Sequence, residues 1–336
     1  MANNNPNREK AMKNGIYLLA NDNVYDQVVA LLNSIKSNYS QDIPVCIIPF
    51  NKNIDLIEKE IVKRKNVFLF ENKNSIEKWV NFITEVHQIY YGRLSEIKSK
   101  KTQVLNMHKK YCAFDGPFEN FIYIDSDTLV FQPLDHIFSK LEEYDFVVHD
   151  FQRKTAIKKG TVSNFFEVFK NVHESESALA NRIHCSGFWA SKQNLINEKD
   201  LDGFIKGLAN DEVKIFGEWL SEQRILNYMT LKKQFNLYNF TLDEKSEYKT
   251  GVCVTSPHFE DKNHILYDQE KKLTYLHYMG VKNDRFERLC QVAKLNLPFK
   301  NIYIKLADKF LDWKISSIPY KNVFLYYRFL QETGKA

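Results

Sequence analysis

The chain has 336 residues, of which 44% are hydrophobic and 26% are charged, so it is long enough to bury a sizeable core. Its 11 glycines and 8 prolines exclude a collagen-like or low-complexity chain, and its five scattered cysteines, with no C-x-x-C pair, argue against a disulfide framework or structural zinc site. Because no apolar run approaches the roughly 20 residues that span a bilayer and the polar N-terminus lacks a signal-peptide core, we expect a cytoplasmic protein.

The first half of the chain alternates short apolar runs with segments of helical periodicity. After the first run, apolar residues recur at helical spacing at Val24, Val28, Leu31, Leu32 and Ile35. Such alternation predicts a parallel sheet with helices on its faces. In chain order we expect strands at 15–20, 43–50, 66–70, 121–124 and 144–150, and helices at 24–38, 54–64 and over much of 75–114.

The second half of the chain is less regular. Residues 151–180 are hard to assign, apart from a helix around 163–172, and a small-residue turn with a strand-like run covers 183–194. Residues 218–233 predict an amphipathic helix, and 273–284 predict a strand that runs into a glycine-containing loop. We therefore expect an α/β protein with a polar tail at 1–14, one large domain at 15–293 and a helical extension at 294–336.

Residues 120–131, NFIYIDSDTLVF, end an apolar run with two aspartates, Asp125 and Asp127. In open α/β sheets, ligands bind beyond the carboxyl ends of the strands. Because side chains alternate along a strand, an extended Asp-x-Asp sends both carboxylates to the same side, where they repel unless a proton or cation joins them. A divalent cation with oxygen ligands relieves this repulsion. The alternative is that one aspartate caps the following segment while the other is solvated.

This segment resembles the D-x-D motif of GT-A fold glycosyltransferases, especially family 8 with its glycogenin-like and bacterial galactosyltransferase-like members. The resemblance covers about residues 15–285 in order and architecture, and its identities lie in three short motifs. It implies a GT-A fold, a Rossmann-like and mostly parallel sheet flanked by helices. It also implies that Asp125 and Asp127 bind Mn²⁺ or Mg²⁺, which bridges the diphosphate of a nucleotide sugar, and that Ser126 belongs to the donor-binding segment.

A second motif, LHYMGVK at 276–282, resembles the H-x-x-G-x-x-K motif of the same family. The resemblance makes His277 the third metal ligand, lets the backbone at Gly280 approach the phosphates, and gives Lys282 the role of neutralising them. Here the lysine comes one residue early, and the usual Pro-Trp after it is absent. Taken alone, His277 between aromatic and aliphatic neighbours favours a hydrogen-bonded core histidine, whereas together with the D-x-D motif it favours a ligand.

A third motif, SEQRILNYM at 221–229, resembles the DQDxLN helix of the family, whose acidic and amide side chains lie near the anomeric carbon of the donor. Matched by position, Glu222 takes the first acid and Gln223 the amide, which makes both candidate catalytic residues. Arg224 replaces the second acid and would pair with Glu222 or reach a phosphate. The alternative is an exposed polar stretch at a helix start.

The small-residue segment HCSGFWAS, at 184–191, resembles the part of the family that lies beneath the donor sugar. In this comparison Ser186 and Gly187 permit close approach of the sugar. The indole of Trp189 either stacks on the sugar or fills the core.

Further donor-binding residues follow from position in the family pattern. Lys109 and Lys110 stand where the family has a basic residue near the donor, although a solvated helix face is the default for both. Asn21 and Asp22, in the loop after the first strand, are expected to meet the uracil or the ribose. Asp150, after the strand at 144–150, is expected to reach the donor hydroxyls and is the remaining candidate catalytic residue.

The C-terminal segment from residue 294 is basic and aromatic. It has eight lysines and arginines against three acidic residues, an excess equal to the net charge of +5 of the whole chain. Ile302, Leu306, Phe310 and Trp313 fall on one face of a helix with lysines around it. Such a helix either lies in an anionic membrane interface, near a lipid-linked acceptor, or docks on the domain with its lysines solvated.

The sequence thus predicts a metal-dependent glycosyltransferase that moves a sugar from a UDP-sugar to a hydroxyl of a glycan or lipid-linked acceptor. The family resemblance favours retention of configuration, and no clustered basic stripe indicates nucleic-acid binding. One alternative is a sugar nucleotidyltransferase, against which the first loop, LLANDN, lacks a glycine-rich phosphate loop. Another is a non-catalytic GT-A-like protein that binds a glycan or partner, which the changes at Arg224 and Lys282 permit.

Overall fold

The computed structural model describes residues 12–92, 105–149, 157, 160–248, 252–253, 258–295 and 300–330. Asp150 lies outside these ranges, as do residues 1–11 of the predicted tail and 93–104 of the predicted helical stretch. Residues 12–14, which the sequence assigned to the polar tail, belong instead to the first strand, because they continue its pairing with the strand that begins at Phe118.

The described residues form thirteen strands, and seven of them build the mostly parallel sheet at the centre of the molecule. In chain order the strands are β1 (Met12–Ala20), β2 (Val45–Pro49), β3 (Val67–Leu69), β4 (Phe118–Ile124), β5 (Thr128–Val130), β6 (Phe146–Val148), β7 (Phe188–Lys192), β8 (Leu237–Asn239), β9 (Val252–Cys253), β10 (Glu260–Lys262), β11 (Ile265–Asp268), β12 (Lys271–Lys272) and β13 (Tyr275–His277). The central sheet has the order β3-β2-β1-β4-β7-β6-β8. Only β7 runs antiparallel to its neighbours, β4 and β6, so the predicted α/β class with a mostly parallel sheet is confirmed.

Helices cover both faces of this sheet. They are α1 (Tyr25–Asn38), α2 (Asp55–Ile61), α3 (Lys73–Gly92), α4 (Asp135–Lys140), α5 (Thr161–Phe169), α6 (Glu176–Ala180), α7 (Glu198–Ala209), α8 (Glu222–Lys232), α9 (Asn283–Lys294), α10 (Lys300–Leu311) and α11 (Lys321–Phe329). Alternation along the strands divides the core in two, because Tyr17 and Tyr123 face α3 and α8 while Ile16 and Ile122 face α1 and α4. No helix in the described part of the chain is both long and apolar enough to cross a bilayer.

A small sheet of order β5-β13-β9 lies beside the end of β4. Its strands β5 and β13 pair antiparallel, and this register sets Thr128 opposite His277. Thr128 is the residue after the D-x-D motif, so the pairing joins two motifs that are far apart in the sequence.

The C-terminal helices pack against the domain through a third hydrophobic core. Helix α11 packs on α1, where the carbonyl of Tyr327 accepts a hydrogen bond from Asn33 Nδ2 at 2.7 Å. Arg328, which is 4% exposed, pairs with Asp26 of α1. This last helix therefore docks on the domain, whereas the predicted alternatives concern the preceding helix, which has Ile302, Leu306 and Phe310.

Candidate functional site

Asp125 lies directly beyond β4, where the carboxyl ends of the parallel strands β1, β2 and β4 meet. Its backbone amide donates a hydrogen bond to the carbonyl of Gly187 at 2.7 Å, and the carbonyl of Asp127 accepts one from the amide of Tyr278 at 2.8 Å. These backbone bonds fix the D-x-D motif between the start of β7 and the end of β13, so His277 lies beside both aspartates.

Asp125, Asp127 and His277 form a cluster of potential metal ligands. The Nε2 atom of His277 lies 3.1 Å from Oδ1 of Asp127 and 3.9 Å from Oδ2 of Asp125. The three ligand atoms all lie within 4.8 Å of one another. Two carboxylates and one imidazole suit Mn²⁺ and also admit Mg²⁺. Within the described ranges, no other group of three His, Cys, Asp or Glu residues has such spacing.

The pKa of His277 reflects the charge of this cluster. Burial alone would lower the pKa, but the carboxylate of Asp127, hydrogen bonds with Asp127 and Cys185, and the charge of Asp125 together raise it well above its usual range. An imidazolium between two carboxylates balances part of their charge. Because a metal binds the neutral imidazole, a divalent cation would take the place of this proton.

Gly187 is in close contact with the cluster. A Cβ atom at this position would stand 2.4 Å from Cε1 of His277 and 2.8 Å from Oδ2 of Asp125, so only glycine fits here. Two residues further on, Trp189 is fully buried and stacks on Phe146 with a ring-centroid distance of 5.2 Å. Trp189 therefore fills the core, and the idea that its indole stacks on a sugar is wrong.

Lys110 is buried beneath the cluster, where the sequence favoured a solvated helix face. It is 2% exposed, and its Nζ donates to Oδ1 of Asp125 at 3.1 Å and to the carbonyl of Ser186 at 3.3 Å. The hydroxyl of Tyr123 donates to the same Oδ1 at 2.7 Å. Oδ1 of Asp125 is thus held from inside the protein, while Oδ2 is the oxygen nearer to His277.

The same contacts set the protonation state of Asp125. Burial raises the pKa of this carboxyl, but the positive charges of Lys110 and then His277, with the hydrogen bond from Tyr123, outweigh burial and leave the pKa below its usual range. Asp125 is therefore ionised and oriented, which are the two properties that a metal ligand needs.

Lys109 differs from Lys110 in its surroundings. Its Nζ donates to the carbonyl of Phe50, just beyond β2, at 3.0 Å. The side chain is half-buried, and burial lowers its pKa. The solvated helix face expected for this lysine is also wrong, and it is Lys110 that contacts the D-x-D motif.

The N-terminus of α8 brings Glu222 to the same site. Ser221 caps the helix with its side chain, so Glu222 and Gln223 are the first two helical residues. Oε1 of Glu222 accepts a hydrogen bond from Oγ of Ser186 at 3.5 Å, and the Glu222 carbonyl accepts one from the hydroxyl of Tyr111 at 2.5 Å. Two of the predicted site residues, Ser186 and Glu222, thus come together from two distant motifs.

Arg224 has a structural role in the turn that leads into α8. Its guanidinium donates to the carbonyls of Phe216 and Trp219, the latter at 2.9 Å, and to Oγ1 of Thr161 at 3.3 Å. Among the described residues its partners are thus groups of this turn and of α5, and the pairing with Glu222 that the sequence suggested is not made.

Asn21 and Asp22 follow β1 at the same edge of the sheet as Asp125. The side chain of Asn21 accepts a hydrogen bond from the amide of Asn23 at 3.1 Å. Oδ1 of Asp22 accepts from the amides of Leu56 and Ile57, at 3.0 and 3.2 Å, and so caps α2. One oxygen of each side chain therefore organises the loop, and contact with a nucleotide stays a prediction.

Gly280, Lys282 and Ser126 are described residues whose role at the donor no contact of the structure tests. Gly280 has a φ of +84°, a conformation that favours glycine, in the loop between β13 and α9. Lys282 is exposed at the N-cap of α9, and Ser126 is half-buried between the two aspartates. Their contacts with a donor, like that of Asp150, stay predictions.

No family model and no curated protein sequence matches the chain. Solved structures of glycosyltransferases are similar to it. The apo structure of the bifunctional glycosyltransferase WbbM has a TM-score of 0.48 and 15% identity and covers 90% of this chain, which spans 52% of that protein. The apo structure of mouse xyloside xylosyltransferase 1 has a TM-score of 0.47 and 8% identity, and the match covers 72% of this chain and 88% of that protein. The galactosyltransferase LgtC, in complex with donor and acceptor sugar analogs, has a TM-score of 0.46 and 12% identity. The match covers 84% of this chain and 97% of that protein. Because these likenesses are weak, the functional proposal rests on the site's own residues.

We expect Gly187→Ala to weaken Mn²⁺ binding by about tenfold or more, because the new methyl group would push His277 and Asp125 apart. Titration calorimetry with Mn²⁺ measures the change. Gly203→Ala on α7 is the matched control, since nothing lies within 4 Å of its added Cβ, and its Mn²⁺ affinity should equal that of the wild type. Equal affinities in all three proteins would contradict the assignment of the cluster.

Lys110→Met should lower the free energy of unfolding by about 3 kcal/mol without metal, because it removes the buried cation that pairs with the partly buried carboxylate of Asp125. Added Mn²⁺ should then raise the unfolding temperature more than in the wild type, since Lys110 no longer repels the metal. Calorimetric unfolding with and without Mn²⁺ tests this.

The matched control is Lys78→Met, which breaks an ion pair with Asp115 of 2.6 Å outside the cluster. This variant should lose stability but respond to Mn²⁺ as the wild type does. If both lysine variants gave the wild-type response to Mn²⁺, Lys110 would have no electrostatic coupling to the metal site.

Proposed function

We propose that this protein is a metal-dependent glycosyltransferase that transfers a sugar from a UDP-sugar to an acceptor hydroxyl with retention of configuration. The observation that carries the proposal is the cluster of Asp125, Asp127 and His277 at the carboxyl end of the parallel sheet, with Gly187 packed against it. Open α/β sheets bind their ligands at this edge.

The proposed metal ligands are Asp125, Asp127 and His277, and a bound Mn²⁺ or Mg²⁺ supplies Lewis-acid stabilisation of the departing diphosphate. The chain adds its own groups to this task. Gly280, with its positive φ, lets the backbone of the loop after β13 come close to phosphate oxygens. The exposed ammonium of Lys282, two residues later, adds positive charge for them.

We assign the donor sugar to the space beside Ser186, Gly187 and the start of α8. Support comes from the hydrogen bond between Ser186 and Glu222, which joins the segment before β7 to the start of α8. In this proposal Glu222 and Gln223 stabilise positive charge that develops at the anomeric carbon. Retention follows the family 8 resemblance, with the leaving phosphate taking the proton of the acceptor hydroxyl.

For the rest of the donor, the proposal keeps the sequence assignments. Asn21 and Asp22 meet the uracil or the ribose, and their position at the end of β1 supports this. Lys109 lies by the end of β2, the next strand along the same edge. Ser126 and Asp150 complete the set, and the sequence assignment of Asp150 to the donor hydroxyls is kept.

The first test is UDP binding and slow UDP-sugar hydrolysis with Mn²⁺ across a panel of donor sugars. Asp127→Asn should remove the Mn²⁺-dependent part of both, because it removes one anionic ligand. Asp202→Asn, at an exposed position on α7, is the matched control and should behave as the wild type.

The outcomes separate the proposal from its rivals. UDP binding that needs no metal, or that is the same in Asp127→Asn, would sink the metal-bridged donor. Formation of a nucleotide sugar from a nucleoside triphosphate and a sugar phosphate would identify a nucleotidyltransferase instead.

A second test separates binding from chemistry. Glu222→Gln and Gln223→Ala should slow donor hydrolysis by about a hundredfold or more while UDP affinity stays within about twofold, because these side chains act on the sugar and not on the nucleotide. Glu218→Gln, an exposed acid just before α8, should leave both quantities unchanged. Parallel losses of UDP affinity and rate in both variants would contradict the assigned roles.

A further inference from the structure

Helix α10 turns a broad apolar surface outward. Ile304 and Ala307, which are 8% and 4% exposed, anchor the helix in the C-terminal core. The rest of its large apolar side chains are between 37% and 71% exposed; they are Ile302, Tyr303, Leu306, Phe310 and Leu311. Single exposed apolar residues are normal on a protein surface, but five within ten residues of one helix indicate a binding surface.

The arrangement of these side chains is regular. Ile302, Leu306 and Phe310 follow one another at intervals of four, so they form one stripe along the helix. Tyr303 extends this stripe at the side. The helix therefore has two apolar faces. Ile304 and Ala307 lie on the buried face, and the stripe lies on the face exposed to solvent.

Basic side chains border the open stripe. Lys305 and Lys309 are exposed, and Nζ of Lys309 lies 5.5 Å above the ring of Phe310. The nearby acids are already engaged. The carboxylate of Asp308 accepts hydrogen bonds from the amides of Ile315 and Ser316, at 2.7 and 2.8 Å, so it points toward the turn after the helix. Asp312, at the end of the helix, pairs with Lys314 at 3.2 Å.

We propose that this face of α10 binds the interface of an anionic membrane, with the apolar stripe inserted among the lipid headgroups and Lys305 and Lys309 beside anionic phosphates. Charge complementarity selects this occupant, because an amphipathic helix with exposed aromatic and aliphatic side chains and adjacent lysines is attracted to such a surface.

A second copy of the chain fits this face less well. In a two-fold interface the same patch meets itself, so the lysines beside the stripe would face lysines. This inference does not depend on the proposed catalytic function.

The test is flotation of the full chain with vesicles of phosphatidylcholine alone or mixed with an equal part of phosphatidylglycerol. The wild type should float with the anionic vesicles at low salt and much less with the neutral ones. The double variant Leu306→Ser/Phe310→Ser should bind anionic vesicles at least about tenfold more weakly, and Lys305→Gln/Lys309→Gln should reduce the salt-sensitive part of the binding.

The matched control is the double variant Leu56→Ser/Val62→Ser, which removes two exposed apolar side chains in and just after α2 and should float as the wild type does. Thermal unfolding checks that the variants are folded. We expect them to fold because the substituted side chains are exposed. Absence of wild-type flotation at low salt overturns the proposal, as does equal binding of both vesicle types. A dimer in sedimentation that Leu306→Ser/Phe310→Ser converts to a monomer, without vesicle binding, identifies a second copy as the occupant and also overturns it.

Discussion

The site depends on the way two like charges are held at the end of a buried strand. Asp125 and Asp127 follow four fully buried residues of β4, where unbalanced carboxylates would be costly. The protein divides the balance between two cations. Lys110 neutralises Asp125 from inside the core, and the buried His277 lies beside both carboxylates. Because only the histidine can give up its proton to make room for a metal, the interior lysine keeps the pair in place in either state.

This division explains much of the surrounding architecture. Lys110 needs a buried setting with polar partners, which the Tyr123 hydroxyl, the Ser186 carbonyl and Asp125 provide. His277 needs a strand that ends beside the D-x-D motif, and the antiparallel pairing of β5 and β13 provides one. The reversal of strand direction at β7 then presents Gly187 to His277 and Asp125, because β7 starts where β4 ends.

The fold was largely predictable because its pattern is local. The first strands and α1 are marked by apolar runs and by a four-residue recurrence that needs no knowledge of distant partners. Other features have no such signal. The hairpins of β10, β11 and β12 consist mainly of charged and polar residues, and the start of β1 at Met12 depends on pairing with β4, which lies about a hundred residues further on.

The site was predictable where a motif carries the chemistry and less so where packing decides it. Resemblance singled out Asp125, Asp127 and His277, and the structure brings them together. The resemblance could not show that Lys110, and not Lys109, contacts the D-x-D motif, because the side chains of neighbouring residues point in different directions. The apolar run at 111–114 was the only sign in the sequence that this segment is buried. Arg224 and Asp22 hydrogen-bond to backbone groups of a turn and of the start of α2, and these contacts depend on the fold. Asn21 accepts a hydrogen bond within its own loop.

The pairing of β5 with β13 joins two segments that the ribosome makes at different times. Synthesis proceeds from the N-terminus, so Lys110, Asp125 and Asp127 leave the ribosome together, long before His277. The charge of Asp125 is balanced as soon as β4 joins the sheet, because its buried partner belongs to the same part of the chain. Asp127 gains its cation, and the site its third ligand, only with β13, so the nascent chain balances Asp125 alone before it can hold a divalent ion there.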